Sequence, residues 1–247
     1  MQTAFITGAS SGIGRATAVA LAKAGFQLVV TGRRRERLEE LAQELATPVH
    51  ILTFDVRDRA AVESAVASLP TEFADVDVLI NNAGNAHGLA PIQDGNVEDW
   101  DTMLDGNVKG LLYVSRAVLP AMTRRRVGHI INIGSIAGQE AYANGNVYCA
   151  SKAAVSMLTK TMRLDLLPHN IRVAEVNPGA VETEFSVVRF KGDEARADTV
   201  YKGFEPLRAK DVADVIQFMV TRPPHVNIAE VLLLPAAQGA AAAIRRE

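Results

Sequence analysis

Short apolar runs alternate with longer amphipathic segments along almost the whole chain, and this alternation constrains the fold more than any other feature. The runs are rich in Val, Ile and Leu, and most lack period-two alternation, as expected of strands buried on both faces of a parallel sheet. We predict strands at 4–7, 27–31, 49–54, 76–80, 129–133, 172–176 and 230–234, and helices that include 14–24, 34–46, 59–69 and 108–123. The pattern predicts an α/β fold, a doubly wound parallel sheet of about seven strands with helices on both faces.

All 247 residues are predicted to form a single domain, because no linker or repeat interrupts this pattern. The least regular stretch, 182–204, carries several charges together with Gly192 and Gly203, and it predicts a loop or lid beside a site. We expect the alanine-rich tail after Gln238 to be poorly ordered.

The composition excludes several classes of function. The formal net charge of −2 and the pI of about 6.2 argue against binding to nucleic acid or to an anionic membrane. No apolar run reaches the ~18 residues of a membrane span, and we find no signal peptide. The single cysteine, Cys149, permits no internal disulfide, so we expect a reducing, cytoplasmic compartment. The histidines show no metal-ligand spacing, and no metal site is predicted.

A glycine-rich turn, Thr7-Gly8-Ala9-Ser10-Ser11-Gly12-Ile13-Gly14, follows the first predicted strand and opens the first helix. Its glycines allow a tight turn that brings backbone N–H groups close to a ligand, and the helix N-terminus favours a pyrophosphate. Within a βαβ unit this pattern predicts dinucleotide binding by a Rossmann-type domain. The candidate cofactor-binding residues of the turn are Gly8, Ser10, Ser11, Gly12, Ile13 and Gly14.

The end of the second strand predicts which dinucleotide binds. An acidic residue at this point would bind the ribose 2′-hydroxyl of NAD. The sequence instead reads Val30-Thr31-Gly32-Arg33-Arg34-Arg35 and contains no carboxylate. Arginines pair with a 2′-phosphate through charge-assisted hydrogen bonds, so we predict NADP(H), with Arg33 as the first candidate and Arg34 as the second. For Arg35 and Arg37 we favour a solvated position at the start of a helix.

Tyr148 and Lys152 lie four residues apart, about one helical turn, and would share one face of a helix. A free tyrosine has a pKa of about 10, and a nearby ammonium lowers that value toward the range useful for acid–base catalysis. Ser135 follows the predicted strand 129–133, at the sheet edge where such folds bind ligands, and a serine there can polarise a carbonyl. An acyl nucleophile is the alternative reading of Ser135, but the sequence Gly-x-Ser-x-Gly is absent.

Several motifs occur together and in a fixed order. They are the glycine-rich turn, Asn81-Asn82-Ala83-Gly84, Ser135, Tyr148-x-x-x-Lys152 and Pro178-Gly179. In this order and spacing, over nearly the whole chain, they resemble the short-chain dehydrogenase/reductase family. Stretches at 31–34, 146–148, 183–186, 188–193 and 224–228 resemble its NADP-dependent 3-hydroxy acid dehydrogenase subgroup, which includes L-allo-threonine and serine dehydrogenases and also reduces malonic semialdehyde.

The resemblance implies a catalytic set of Asn107, Ser135, Tyr148 and Lys152. Ser135 and Tyr148 would hydrogen-bond the substrate oxygen, and Tyr148 would transfer the proton. Lys152 would hold the nicotinamide ribose, and Asn107 would complete a water-linked proton relay. It further implies a cofactor half at about 1–140, a catalytic and substrate half at about 141–247, and a homotetramer or homodimer.

The resemblance also implies further cofactor contacts. Adenine would meet Asp55 and Val56, and the adenine-side ribose would be flanked by Asn82, Ala83 and Gly84. The nicotinamide carboxamide would be held by Pro178, Gly179, Val181 and Thr183.

The substrate end of the site depends on a carboxylate partner, for which arginine is the usual choice. Arg189, in the stretch after Pro178-Gly179, is the candidate, and Lys191 is a lesser one; a solvated charge on a loop is the alternative for both. The predicted substrate residues are therefore Ser135, Tyr148 and Arg189. Departures from the subgroup at 85–87 and 139–141 leave the exact substrate open.

The leading prediction is an NADP-dependent oxidoreductase. It would move a hydride between nicotinamide and C3 of a short 3-hydroxy acid or hydroxy amino acid, of the serine, allo-threonine, 3-hydroxyisobutyrate or malonic semialdehyde type. A general NADPH-dependent carbonyl reductase of ketones and aldehydes is the first alternative. A catalytically idle NADP-sensing protein is the second, and the intact catalytic set argues against it.

Overall fold

The computed structural model describes all 247 residues and contains one central sheet of seven parallel strands. They are β1 Thr3–Ile6, β2 Gln27–Gly32, β3 Val49–Thr53, β4 Val76–Asn81, β5 Gly128–Ile133, β6 Ile171–Pro178 and β7 Glu230–Leu233. Their order across the sheet is β3-β2-β1-β4-β5-β6-β7, and every neighbouring pair is parallel. The predicted doubly wound sheet is confirmed, and each predicted strand is present within two residues of its predicted ends.

Helices cover both faces of this sheet. They are α1 Gly12–Lys23, α2 Arg35–Glu44, α3 Arg59–Ala67, α4 Thr71–Ala74, α5 Val97–Leu104, α6 Leu111–Arg125, α7 Asn146–Leu166, α8 Phe185–Arg189, α9 Glu194–Thr199 and α10 Ala209–Val220. Side chains of α1, α2 and α10 pack in one core cluster, and those of α3, α6 and α7 pack in the other. The sheet is therefore the middle of three layers.

The strands lack alternation because both of their faces meet apolar side chains. In β1, Ala4 and Ile6 belong to the first cluster, whereas Phe5 between them belongs to the second. All three are fully buried. Burial of a side chain as large as Phe5 stabilises the fold by about 1.5–3 kcal/mol. Two such clusters fix the sheet, and they leave the carboxyl ends of the strands free to carry polar side chains.

The helix predicted at 108–123 begins later than expected, because the segment before it has a different helical period. The chain runs from α5 through a π-helical stretch, Asp105–Gly110, into α6 without leaving helical geometry. The wider π turn shifts the side-chain positions, so a search at 3.6 residues per turn misplaces the boundary. Such π segments often occur at functional sites, and this one carries Asn107.

The stretch 182–204, called here the lid segment, is more regular than predicted. It contains α8 and α9, and Val181–Glu182 pairs in parallel with Leu207–Arg208 just beyond it. Its irregular part is the turn between the helices, where Lys191 and Gly192 have φ of 55° and 93°. The prediction of a loop was therefore wrong for the two helices, and the prediction of a lid concerns motion and stays a prediction.

The prediction of a poorly ordered tail was also wrong. Residues 238–244 form an antiparallel hairpin of Gln238–Ala240 and Ala243–Ile244. Gln238 is buried, and its Oε1 accepts a hydrogen bond from the backbone N–H of Ala180 at 2.9 Å. The N–H of Glu247 donates to the carbonyl of Gly203 at 2.8 Å. Gly179 and Gly203 allow this close approach, since a Cβ on either would crowd Gln238 or Glu247, and the alanine-rich composition of the tail does not reveal such contacts.

None of the helices combines the length and the apolar character that crossing a bilayer requires. No three side chains of the His, Cys, Asp or Glu type are arranged so that they could hold a metal ion.

His129, on β5, is buried in a way that should lower the free energy of unfolding in acid. It is 1% exposed, and neither ring nitrogen has a hydrogen-bond partner. Burial, with a smaller contribution from Arg172, lowers the pKa of His129 from 6.5 to about 3. Because the unfolded chain takes up this proton first, the free energy of unfolding should fall as the pH drops from 6.5 toward 3. Between pH 7 and pH 5 the loss is about 2 kcal/mol.

Urea denaturation at these two pH values of the natural protein and of His129→Leu tests this. We expect the variant to lose about 2 kcal/mol less than the natural protein on acidification. Equal losses in the two proteins would show that His129 does not contribute.

Candidate active site

A cavity of about 510 Å³ opens above the carboxyl ends of the sheet strands. Its walls come from the glycine-rich turn, the ends of β2, β4, β5 and β6, the first turns of α7, and the lid segment. The strand order reverses between β1 and β4, and open α/β sheets bind ligands in the crevice at that point. The fold thus brings together motifs that are up to 170 residues apart, from Gly8 to Pro178.

The glycine-rich turn has the geometry of an anion cradle. Gly8 and Gly12 have φ of +68° and +51°, a conformation that favours glycine. Ser11, the N-cap of α1, makes no side-chain capping hydrogen bond, and the first turn of α1 has no acidic residue. The N–H groups of this turn are therefore available to a negative ligand. Gly8, Ser10, Ser11, Gly12 and Ile13 line the cavity.

Gly14 belongs to this motif but does not line the cavity. A Cβ at this position would overlap the carbonyl oxygen of Gly8 and the side-chain nitrogen of Asn82. Gly14 therefore allows α1 to approach β1 closely, which is a packing role. A direct contact of Gly14 with the cofactor stays a prediction.

Thr7, which sequence reasoning did not single out, ties the glycine-rich turn to the end of β4. Its Oγ1 accepts hydrogen bonds from the N–H groups of Asn82 and Ala83 at 3.0 and 2.9 Å. The Asn82 side chain donates in return to the carbonyl of Thr7 at 2.8 Å. Asn82, Ala83 and Gly84 all line the cavity, and this clip fixes their backbone.

Of the two predicted arginines, Arg34 is the one that contacts the glycine-rich turn. Its guanidinium donates to Ser11 Oγ at 2.8 Å and to Ser10 Oγ at 3.3 Å. It also pairs with Glu184 of the lid segment at 2.8 Å. Arg33 is more exposed, and its nearest carboxylate is Asp55 at 3.8 Å. Both arginines line the cavity, Arg34 beside the helix N-terminus and Arg33 beside β3.

Of the two neighbouring arginines, one pairs within α2 and the other pairs with the lid segment. Arg35 pairs with Glu39 on the surface of α2 at 2.8 Å, as expected for a solvated residue. Arg37 also forms an ion pair with Glu184, so it is not simply solvated as we had expected. Because Glu184 binds both Arg34 and Arg37, it connects the lid segment to the arginine cluster.

Asp55 and Val56 line the wall beyond β3. The guanidinium of Arg57 donates to both carboxylate oxygens of Asp55, from Nε to Oδ1 at 3.0 Å and from Nη2 to Oδ2 at 2.7 Å, and this pairing lowers the pKa of Asp55. Val56 packs against Gly110, where a Cβ would lie 2.7 Å from its methyl carbon. This wall is therefore rigid, with one apolar and one charged element. Arg57 was not predicted.

Tyr148 lies in the first turn of α7 and is 9% exposed, with its ring centre 5.7 Å from that of Phe185. Burial raises the pKa of Tyr148 above its ordinary value of 10, and the nearby Tyr142 adds to the increase. The Ser135 hydroxyl and the charge of Arg189 oppose it. Ser135 and Tyr148 both line the cavity, so the structure brings the predicted pair together.

Lys152 is buried one turn of α7 after Tyr148, and its ammonium makes a hydrogen bond to the backbone. It donates a hydrogen bond to the carbonyl of Ile133 at 2.8 Å. Burial lowers the pKa of Lys152 to about 8. The effect of this ammonium on the pKa of Tyr148 stays a prediction, and in this structure the ammonium is directed toward the end of β5.

Asn107 lies behind the cavity wall, in the π-helical stretch, and is 2% exposed. Its side-chain nitrogen donates to the carbonyl of Asn85 at 2.8 Å and to Ser151 Oγ at 3.0 Å, while its oxygen accepts from the N–H of Asn85 at 2.8 Å. A Cβ on Gly84 would lie 2.8 Å from that oxygen and 3.8 Å from the Lys152 nitrogen. Gly84 thus leaves room between Asn107 and Lys152.

The loop after β6 forms the far end of the cavity. Pro178, Gly179, Val181 and Thr183 all line it. The N–H of Gly179 donates to the carbonyl of Leu233 at 2.8 Å, which fixes the loop to β7. Thr183 faces Gly12 across the cavity, where a Cβ would lie 3.4 Å from the threonine methyl.

Arg189, at the end of α8, reaches Tyr148. Its guanidinium lies 5.6 Å from the ring centres of both Tyr142 and Tyr148. It donates to the Tyr142 hydroxyl at 2.9 Å and to the carbonyl of Gly88 at 3.2 Å. Lys191 pairs with Asp99 at 3.0 Å and does not line the cavity. The structure therefore favours Arg189 over Lys191 as the substrate-facing cation.

Sequence reasoning missed several lining residues. They are Arg57, Tyr142, Phe185, Ser186, Tyr201, Gln238, Ala241 and Ile244, among others. Tyr142 lies six residues before Tyr148, and an aromatic residue so close to the motif was a usable signal. The sequence gives no such signal for the residues of the tail, because only the folded hairpin brings them to the cavity.

Comparisons with known proteins agree with this geometry. The family model described as short chain dehydrogenase matches residues 2–194. An NADP-dependent 3-hydroxy acid dehydrogenase of Schizosaccharomyces pombe is 47% identical over 251 residues, covering 100% of this chain and 97% of the relative. Sulfoacetaldehyde reductase 2 of Chromohalobacter salexigens is 47% identical over 237 residues, covering 95% and 94%. The closed form of a serine dehydrogenase complexed with NADP⁺ is 45% identical, with a TM-score of 0.95 and complete coverage of both chains.

Proposed function

The chain belongs to the short-chain dehydrogenase family, and we propose that it acts as an NADP-dependent 3-hydroxy acid dehydrogenase. It is an NADP-dependent oxidoreductase, as its relatives are. The substrate is a short acid or amino acid with a hydroxyl at C3, of the serine, allo-threonine, 3-hydroxyisobutyrate or malonic semialdehyde type. The single observation that carries this assignment is the position of the Arg189 guanidinium, 5.6 Å from the ring centre of Tyr148.

The residues present fit NADP(H). The uncapped N-terminus of α1 and the left-handed glycines provide N–H donors for a pyrophosphate. Arg34, held between Ser10 and Ser11, and the more exposed Arg33 are the cations for a 2′-phosphate. The further contacts we propose are Asp55 and Val56 with adenine, Asn82, Ala83 and Gly84 with its ribose, and Pro178, Gly179, Val181 and Thr183 with the nicotinamide. When bound, the cofactor accepts or supplies the hydride.

The protein's own part in the reaction is to hold the substrate oxygen and to move its proton. We assign the proton transfer to the Tyr148 hydroxyl and the polarising hydrogen bond to Ser135, whose N–H is fixed by Asn177 at 2.9 Å. Lys152 holds the cofactor ribose through its ammonium. Asn107, fixed to Asn85 and Ser151, supports the water-linked relay behind Lys152.

Arg189 is assigned to the acidic group of the substrate. Its guanidinium is held by Tyr142 and by the carbonyl of Gly88, neither of which neutralises its charge. A fixed, uncompensated guanidinium beside the reacting centre favours an anion. The sulfoacetaldehyde reductase relative provides a second candidate, an aldehyde that carries a sulfonate, because its identity equals that of the hydroxy acid dehydrogenase.

Replacement of Arg189 tests the assignment. We expect Arg189→Ala to lower kcat/KM for a 3-hydroxy acid by about 10- to 100-fold, since a charge-assisted pair contributes about 1.5–3 kcal/mol. For a neutral secondary alcohol the change should be less than threefold, on the order of 0.5 kcal/mol. Lys191→Ala is the matched control, because Lys191 is a cation of the same lid segment that faces Asp99. An unchanged ratio of acid to neutral substrate in Arg189→Ala would contradict the proposal and favour a general carbonyl reductase.

We also propose a homotetramer, with a homodimer as the alternative. Large apolar side chains are exposed on the outer sides of α6 and α7 and just beyond the end of α7, namely Leu112, Met157, Leu164 and Leu167. A second exposed group, Phe218 of α10 and Leu232 of β7, lies at the sheet edge. Two separate apolar surfaces are what two kinds of subunit contact require. Sedimentation equilibrium measures the assembly, and a monomer at micromolar concentration would contradict it. We place the enzyme in the cytoplasm because its single cysteine suits a reducing compartment.

A further inference from the structure

One buried carboxylate next to the active site has no role in the chemistry above. Glu175 lies on β6, is 1% exposed, and is in register with Glu230 of β7. A buried carboxylate is costly unless hydrogen bonds or an opposite charge compensate it. The hydroxyl of Ser156 donates to Glu175 Oε1 at 2.7 Å, and the side-chain nitrogen of Asn177, two residues along the same strand, donates to Glu230 Oε1 at 3.3 Å. The group is therefore held in one position.

The Glu175 carboxylate packs under the turn that carries Ser135. A Cβ on Gly134 would overlap both Glu175 Oε1 and Asn177 Oδ1, so these two side chains fill the space next to that backbone. Asn177 Oδ1 accepts the hydrogen bond from the N–H of Ser135. A change in the Glu175 side chain would therefore alter the packing of Asn177, the residue that holds the N–H of Ser135.

Glu175 also lies beside Lys152. Ser156 is four residues after Lys152, one turn further along α7. The groups that face Glu175 are Lys152 and Ser156 from α7, Asn177 from its own strand and Glu230 from β7. Burial raises the pKa of Glu175 and Glu230 raises it further, while the hydrogen bond from Ser156, the nearby Asn177 amide and the charge of Lys152 lower it. Conversely, Glu175 is the group that opposes the burial-driven fall in the pKa of Lys152.

We propose that Glu175 is a positioning residue of the active site, which keeps the Lys152 ammonium charged and supports the Gly134–Ser135 turn. The inference rests on the proposed oxidoreductase function, but not on the identity of the substrate. It adds a buried acid on the sheet side of α7 to the four predicted catalytic residues. A charged Lys152 donates hydrogen bonds to the cofactor ribose, and a neutral one does so more weakly.

The test is Glu175→Gln, which keeps the shape and removes the charge. NADPH binding is titrated by fluorescence from pH 6 to pH 9.5. In the natural protein the dissociation constant should rise with a midpoint near the pKa of Lys152, about 8. Without the Glu175 charge this midpoint should move down by about one pH unit. The alkaline limb of kcat/KM for reduction, which reports the free enzyme, should move with it.

The remaining variants separate charge from packing. Glu175→Asp keeps the charge and should restore at least half of the shift. Glu230→Gln removes the neighbouring carboxylate, which is exposed and screened, and should move the midpoint less than Glu175→Gln does. If Glu175→Gln does not fold, Ser156→Ala, which weakens the hold on the carboxylate, should move the midpoint in the same direction. A uniform loss of binding at every pH, or superimposable profiles, would overturn the proposal.

The pH profile of NADPH binding and the turnover of substrates test different claims, so a failure of this inference can be distinguished from a failure of the proposed function. The binding profile needs no substrate, so a natural protein that turns over only neutral carbonyl compounds, or none of the compounds tried, still yields a midpoint. Loss of the hydroxy acid assignment with a shifted midpoint would support Glu175 and reject the substrate. Turnover of hydroxy acids with an unshifted midpoint would do the reverse.

Discussion

Replacement of Tyr148 by Phe is expected to lower kcat by about 10²- to 10⁴-fold, the usual contribution of a positioned general acid or base. The ring would keep its contacts with Phe185 and with the Arg189 guanidinium, so only the hydroxyl that carries the proton is lost. The dissociation constant of NADPH should stay within about twofold, since other residues bind most of the cofactor. Steady-state kinetics and fluorescence titration measure the two quantities.

The matched control is Tyr142→Phe, in the same cavity. It removes a hydroxyl that accepts a hydrogen bond from Arg189, so it should raise KM for the acid substrate and lower kcat far less than Tyr148→Phe. Turnover of Tyr148→Phe within tenfold of the natural protein would contradict the assigned role. It would also revive the reading of the chain as a protein that senses NADP, if the natural protein itself showed no turnover.

The second large effect is expected at the arginine cluster. Arg34→Ala should raise the dissociation constant of NADPH by about 10- to 100-fold, because a charge-assisted hydrogen bond contributes about 1.5–3 kcal/mol. NADH lacks the 2′-phosphate, so its dissociation constant should change by less than about twofold. Arg33→Ala should have a smaller effect, since Arg33 is 64% exposed and has no contact with the glycine-rich turn.

Arg35→Ala provides the control for this series, because Arg35 belongs to the same basic run but pairs with Glu39 on the surface. It should alter the binding of neither cofactor. Equal affinity of the natural protein for NADPH and NADH would contradict the role of the arginines altogether. An equal loss for both cofactors in Arg34→Ala would instead indicate that the variant disturbs Ser10 and Ser11, which Arg34 contacts.

The sheet was predictable because its strands are apolar on both faces, a pattern that few other structures produce. Phe5 and Ile6 point to opposite cores, and no polar residue interrupts the run. The start of α6 was not predictable in the same way, because the π-helical stretch at Asp105–Gly110 breaks the period on which the prediction rests. The tail hairpin depends on contacts with Ala180 and Gly203, which are remote in sequence.

The sequence was sufficient to predict which residues of the site come together. It was not sufficient to predict how their side chains are oriented. Spacing placed Lys152 on the same face as Tyr148, yet the acceptor of its ammonium is the carbonyl of Ile133, a backbone group that no side-chain motif marks. Arg189 was identified by its charge, while its two holders, Tyr142 and the carbonyl of Gly88, become apparent only in the folded chain. The motif marks Gly14 as a cofactor residue, whereas its close packing against Gly8 and Asn82 becomes apparent only in the folded chain.

The central claim is that this enzyme uses NADP(H) to oxidise or form a hydroxyl at C3 of a small acid. The most direct test follows NADP⁺ reduction by nicotinamide absorbance with L-serine, L-allo-threonine, 3-hydroxyisobutyrate, 3-hydroxypropionate and a neutral secondary alcohol, each repeated with NAD⁺. We predict turnover of one or more of the acids, with NADP⁺ preferred over NAD⁺ by at least about tenfold. Turnover of the neutral alcohol alone, or equal rates with the two cofactors, would contradict it.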